Sequence, residues 1–352
     1  MSSDEKIRVG ITCGDLNGIG IEIIIKTFLD NRMLDNCIPI VYGSAKTATY
    51  HRKSLNINDF SFNFIKNIEQ ANPKKANLLN LWDEEIKIDL GEPSEVLGKY
   101  AVKSLQLATE DLAANKIDVL VTAPVNKHTM QSEKYQFSGQ TEYLANYANE
   151  ENPLMILVSE NLRVGLATGH LPVKDVAENI STAKIIAKLR VFNKSLIQDF
   201  GIERPKLAVL ALNPHAGDNG LIGNEEQDLI IPAIKKANEE NILVFGPYAA
   251  DGFFGSSNFA KFDGILAMYH DQGLTPFKAL SFDCGVNFTA GLPIVRTAPD
   301  HGVAYDIAGK NIASENSFRQ AIFLACDIYR KRKEYRQLTA NQLNPAEAKE
   351  VT

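Results

Sequence analysis

Short apolar runs alternate along this chain with longer stretches whose apolar positions recur every three or four residues. The runs are 7–12 (IRVGIT), 38–43 (IPIVYG), 118–124 (DVLVTAP), 154–159 (LMILVS), 206–212 (KLAVLAL), 242–247 (ILVFGP) and 264–269 (GILAMY). Each is bounded by turn residues and reads as a buried strand. The stretches 98–116, 181–200, 224–240 and 314–338 carry helical periodicity. In the first, Val102, Leu105, Leu107 and Leu112 fall close to one face. The stretch 224–240 opens on Asn224 with Gln227 three residues later, the spacing of a capping box. The last reads as a closing helix with a solvated charged end.

This alternation predicts an α/β fold with a largely parallel sheet. LMILVSENLRVGLAT has the pattern of a hairpin, so some antiparallel pairing is expected. Residues 55–97 are more polar and yield no element, and the tail after about 338 reads as frayed.

Composition narrows the class. The 352 residues, 45% hydrophobic and 23% charged, suit two domains or one large α/β unit with a substantial core. A net charge of −6 argues against non-specific nucleic-acid binding. Cys13, Cys37, Cys284 and Cys326 form no CxxC pair, as in an enzyme of a reducing compartment. No run reaches membrane-spanning length and the first residues hold no apolar signal region, so a cytoplasmic protein without a membrane partner is expected.

Four of the six histidines lie in polar turns at or just past apolar runs: His170 (GLATGHLP), His215 (VLALNPHAG), His270 (ILAMYHDQG) and His301 (TAPDHGVA). Carboxyl ends of strands line the ligand crevice of open α/β sheets. Three imidazoles delivered there could hold a divalent ion; each taken alone reads more readily as a locally bonded loop residue. GITCGDLNGIGIE matches neither GxGxxG nor a P-loop, leaving a tight strand-to-helix turn or a backbone anion cradle. VTAPVNKHTM and FSGQTEYL offer Thr122, Asn126, Lys127, Gln140 and Thr141 as donors at strand-to-helix turns, and Lys278, Asn287 and Arg296 follow His270. Such groups suit an anionic substrate; capping or surface charge explains each singly.

Taken in order, GITCGDLNGIGIE, VTAPVNK, GQTEYL, ATGHLP, LNPHAG with GNEEQD, YHDQGL and GVNFTAGLPIVRTAPDHGVAYDIAG resemble the 4-hydroxythreonine-4-phosphate dehydrogenase family of pyridoxal-phosphate biosynthesis. HGVAYDIAGKNIASE is also similar to the segment by which isopropylmalate and isocitrate dehydrogenases hold the adenosine of NAD. The resemblance implies an isopropylmalate/isocitrate dehydrogenase-like α/β fold. A single catalytic unit over 1–352 would place two α/β subdomains around a central cleft, with a mixed, largely parallel sheet.

It further implies NAD- or NADP-dependent oxidation of 4-(phosphooxy)-L-threonine at C3, then loss of CO2 to give 3-amino-2-oxopropyl phosphate. One divalent ion per site (zinc, magnesium or cobalt) would be bound by His170, His215 and His270. The implied homodimer shares that ion, with His170 and His215 from one subunit and His270 from the other. Gln140, Thr141, Lys278, Asn287 and Arg296 fall at substrate positions. Asp251 and Asp271 match acidic positions near the site, and Lys278 is the candidate for proton transfer. His301, Gly302, Ala304 and Asp306 are the expected cofactor contacts. Gln140 stands where the family commonly has histidine, and Leu16 and Ile21 where it has proline. The alternative is a paralogous enzyme for a threonate or erythronate phosphate; a metal-dependent hydrolase and a silent binding protein are rivals of other classes.

Overall fold

The computed structural model describes residues 6–133 and 135–340. Among them the strands are β1 (Ile7–Thr12), β2 (Cys37–Gly43), β3 (Asn63–Ile65), β4 (Asn77–Asn80), β5 (Val119–Thr122) and β6 (Leu154–Ser159). They continue with β7 (Leu162–Leu166), β8 (Lys206–Leu210), β9 (Leu243–Tyr248), β10 (Gly264–Ala267), β11 (Val286–Ala290) and β12 (Arg296–Pro299). The helices are α1 (Gly20–Leu29), α2 (Met33–Asn36), α3 (Ala45–Ser54), α4 (Glu95–Ala113) and α5 (Gln140–Tyr147). After them come α6 (Thr182–Gln198), α7 (Ile231–Glu239), α8 (Ala250–Gly255), α9 (His270–Leu280) and α10 (Asn316–Thr339).

One sheet joins all these strands in the order β3-β4-β2-β1-β5-β12-β11-β6-β7-β10-β8-β9. From β3 to β12 every pairing is parallel. The pairs β12–β11, β11–β6 and β6–β7 are antiparallel, and β7-β10-β8-β9 is parallel again. Two parallel blocks of opposite direction are thus joined through a short antiparallel centre. Near-complete burial of β1, β5 and β10 fits strands covered on both faces. The expected hairpin is β6–β7, with Ser159 opposite Leu162.

Every apolar run named above coincides with a strand to within a residue or two, but four strands escaped the hydrophobic pattern. β3 and β4 lie in the polar stretch 55–97, where Asn77 is fully buried and donates to the carbonyls of Pro39, Asn72 and Lys75. A side-chain amide there does the work of an apolar residue. β11 and β12 alternate apolar residues with Asn287, Thr289 and Thr297, and β12 opens on a buried arginine.

Helix α6 begins at Ser181, whose side chain accepts from the Lys184 N–H at 3.2 Å. α10 lays Phe318, Ala321, Ile322, Ala325, Cys326 and Ile328 against β12, β5 and β11. Each large side chain in that stripe contributes roughly 2 kcal/mol by burial. The charged end of α10 is not wholly solvated as expected, because Arg332 turns inward. Its Nε lies 2.6 Å from Asp199 Oδ1, and its Nη1 donates to the carbonyls of Leu292, Pro293 and Ile294. The rest of the tail reading lies outside the described residues.

His51 of α3 is 1% exposed, with Nε2 2.9 Å from the Leu16 carbonyl. Burial pushes its pKa down from 6.5 to about 4. Between those pH values the unfolded chain takes up a proton that folded His51 excludes. Stability is therefore fully present above pH 6.5 and falls as pH drops toward 4, by about 3 kcal/mol. Urea unfolding of His51→Gln should show a correspondingly shallower acid loss. An acid profile identical to wild type would place that loss elsewhere.

Candidate active site

Strands β7, β10 and β8 are parallel neighbours, so the loops leaving their carboxyl ends share one edge of the sheet. His170 and His215 lie on the loops after β7 and β8, and His270 opens α9 just past β10. The His170 and His270 rings face each other with centroids 5.7 Å apart. Two imidazoles bound to one ion at ~2.0–2.1 Å place their ring centres roughly 5–6 Å apart, so this pair fits a shared ion. His270 Nδ1 lies 2.7 Å from Asp271 Oδ1, which leaves Nε2 as the nitrogen for a ligand. His170 has Nε2 3.2 Å from Lys127 Nζ and Nδ1 3.7 Å from Glu142 Oε1, the latter an ion-pair rather than a hydrogen-bond distance. The His170 ring holds the Glu142 carboxyl below its ordinary range, against the opposing effect of burial.

His215 sits on a left-handed turn. His215, Ala216, Asp218 and Asn219 have φ between 42° and 56°, conformations that cost a non-glycine residue roughly 1–2 kcal/mol each. What holds the turn is Glu226, 1% exposed, whose Oε1 accepts from the N–H groups of Leu212 and Asn213. Its Oε2 lies against Gly217, where a Cβ would come within 2.6 Å. Glu226 also alters the expected helix start. Glu226–Ile230 form a π turn ahead of α7, in place of an Asn224/Gln227 capping box. Among the described residues of one chain, no three His, Cys, Asp or Glu side chains converge as metal ligands, so His215 does not complete the His170–His270 pair.

Beside this pair lies a cationic nest. Arg296 is 4% exposed and donates to Thr122 Oγ1 (2.6 and 3.0 Å), Thr141 Oγ1 (3.2 Å), Thr289 Oγ1 (3.4 Å) and Gln140 Oε1 (3.5 Å). These five bonds go to neutral oxygens, and burial pushes the guanidinium down to about 10. Gln140 spans the nest, since its Nε2 donates to the Ala123 carbonyl. Asn287 shares a strand face with Thr289, and its buried Oδ1 lacks a partner, as does the buried Tyr135 hydroxyl.

The other expected residues are less gathered. Lys278 is exposed and donates to the Asp300 carbonyl at 3.0 Å, placing it beside His301. Asp251 is exposed on α8. His301 is largely buried with Nε2 unpartnered, and burial lowers its pKa. Gly302 leaves open space where a Cβ would stand, Ala304 is left-handed at φ 47°, and Asp306 is exposed. The glycine-rich turn packs on this segment. A Cβ on Gly18 would lie 2.2 Å from Val303 Cγ1, and the Ile19 N–H donates to the Val303 carbonyl. The tight-turn reading therefore fits better than an anion cradle.

Comparison with known proteins settles the family. The family model described as "Pyridoxal phosphate biosynthetic protein PdxA" matches residues 35–325. A protein of Bacteroides thetaiotaomicron named 4-hydroxythreonine-4-phosphate dehydrogenase is 52% identical over 97% of this chain and 93% of its own. The chain belongs to the PdxA family. A Sulfurihydrogenibium protein of the same name is 41% identical over 93% of this chain and 100% of its own. The crystal structure of 4-hydroxythreonine-4-phosphate dehydrogenase from Klebsiella pneumoniae superposes with a TM-score of 0.78, at 32% identity, over 92% of this chain and 100% of that one. This is a dehydrogenase family, and the mixed α/β sheet is its fold.

Within this PdxA chain the structure joins Gln140, Thr141 and Arg296 in one nest and His170 with His270 in another. Sequence reading passed over Glu142, Glu226 and Tyr305. Tyr305 donates to Asp15 Oδ2 at 2.7 Å and accepts from Asn126 Nδ2, linking the 301–307 segment to the glycine-rich turn and to the loop bearing Lys127. The signal for Glu142 was a lone acidic residue inside the neutral motif GQTE, and for Glu226 the acidic run of GNEEQD. Among the described residues, no helix is long and apolar enough to cross a membrane.

Proposed function

We propose that this chain oxidises 4-(phosphooxy)-L-threonine at C3 with NAD and releases the carboxylate as CO2, yielding 3-amino-2-oxopropyl phosphate. The observation that carries this reading is Arg296, a buried guanidinium bonded to uncharged oxygens beside a pair of imidazoles at ligand spacing. Such a cation is ready for an anionic substrate. Thr141, Gln140 and Asn287 would orient the molecule around that anchor. Asp271 fixes the His270 tautomer, Glu142 steadies His170, and Asp251 and Lys278 remain the acidic and proton-transfer candidates. The bound divalent ion would supply Lewis-acid stabilisation of negative charge on the C3 oxygen. His301, Gly302, Ala304 and Asp306 would hold the nicotinamide dinucleotide, and the two parallel blocks would be the subdomains flanking the cleft.

The working unit is a homodimer. The close His170 and His270 rings within one chain support a subunit boundary between that pair and His215, which the partner would supply. This differs from the division the resemblance implies.

NADH formation from 4-(phosphooxy)-L-threonine, with and without a chelator, tests the reading. Turnover should vanish when the ion is removed and return with added zinc, cobalt or magnesium. A threonate or erythronate phosphate turned over at higher kcat/KM would move the assignment to the paralogous reaction. Full turnover in chelator would remove the ion.

A further inference from the structure

Lys127 is unaccounted for by that reading. Its Nζ lies 3.2 Å from His170 Nε2. An ammonium has only donors, so Nε2 must present its lone pair, and the ring proton then sits on Nδ1 toward Glu142. That lone pair is the one a divalent ion would take. The ammonium cannot keep it once an ion is bound, and two cations so close repel.

The displaced ammonium does not go far. Asn126 is tied to Tyr305 and accepts from the His128 N–H, which fixes the backbone on both sides of Lys127. The lysine stem runs over Gly139, where an added Cβ would stand 3.4 Å from Cε and 3.8 Å from Nζ. Gly139 immediately precedes Gln140 and Thr141, the residues that bond Arg296. We propose that Lys127 is a substrate-anion ligand parked on His170, released toward the Thr141–Arg296 nest when the ion binds. Ion binding would then arm a second cation for the substrate. The inference rests on the functional reading above, because it takes His170 as an ion ligand and Arg296 as an anion anchor.

The test compares wild type with Lys127→Met, using inorganic phosphate as the anion and Mn2+ as the ion. Ion affinity is read by competition with a fluorescent chelator, and phosphate affinity by calorimetry with and without ion. Removing the parked ammonium should leave ion affinity unchanged or raise it a few-fold. In wild type the ion should strengthen phosphate binding, and the variant should lose about tenfold of that gain, the usual weight of one charge-assisted bond. Ion-free phosphate binding, resting on Arg296, should persist in both. Equal ion-dependent gains in the two proteins, or a variant that loses the ion, would overturn the proposal. These readouts need neither dinucleotide nor phosphothreonine. A wild type that fails the NADH assay while showing the coupling would sink the substrate assignment and leave Lys127 standing.

Discussion

Arg296→Met should lower kcat/KM for the phosphorylated substrate by about a hundredfold or more, with no loss of folding stability. Truncating one partner of a buried, hydrogen-bonded charge pair costs about 2–5 kcal/mol, and each 1.4 kcal/mol is tenfold. The absence of a stability penalty follows from the resting partners. The guanidinium is bonded to the oxygens of Thr122, Thr141, Thr289 and Gln140, and its burial is unfavourable enough to pull its pKa down to about 10. A methionine of similar length removes that desolvation, and the threonine hydroxyls can bond one another. Arg296→Lys should not restore activity, since an ammonium cannot reproduce the forked donor set. Steady-state kinetics and thermal melts check both halves. A kcat/KM within about threefold of wild type would mean that Arg296 only ties strands together.

Complementation between inactive variants should locate the subunit boundary. If His170 and His270 act from one chain and His215 from the partner, as proposed, each variant homodimer lacks a ligand at every site. Mixing His170→Ala with His215→Ala gives mixed dimers in which one site collects both lesions and the other none. Random reassortment makes about half the dimers mixed, each with one working site of two, so about a quarter of wild-type activity should return. His170→Ala with His270→Ala should give no recovery, because each mixed site then carries one lesion. Co-refolding followed by NADH measurement, with exchange verified by mass spectrometry, decides the matter. The reverse pattern would restore the division implied by the family resemblance.

Sequence reading recovered most of the architecture where apolar periodicity drives burial. Strands such as β1 and β10, and helices such as α4 and α6, came from that signal. It failed where side chains bond the backbone or each other. Asn77 stabilises β4 through amide bonds, Arg296 opens β12, and Arg332 is buried by Asp199 and three carbonyls. The site was legible as a list of residues but not as an arrangement. Motif order named His170, His270, Gln140, Thr141 and Arg296, yet only the fold shows that His170 meets His270 and that Thr141 meets Arg296. Glu226 illustrates the rest. Its position fits a helix start, and its role appears only once the left-handed turn at His215 is seen to hang from its carboxylate.

The sheet order also governs when each half of the molecule can be finished during synthesis. The chain leaves the first parallel block after β5, builds β6 to β11, and returns only with β12, which docks between β5 and β11. The first block therefore waits for a strand at Arg296–Pro299 and a covering helix at Asn316–Thr339, while the second block draws on a contiguous stretch of chain. On the ribosome the later-made half can close first, and the earlier-made half keeps one edge of β5 unpaired until β12 and α10 emerge. Closure of so long a loop is slow, and an unpaired strand edge exposed meanwhile is a site for aggregation.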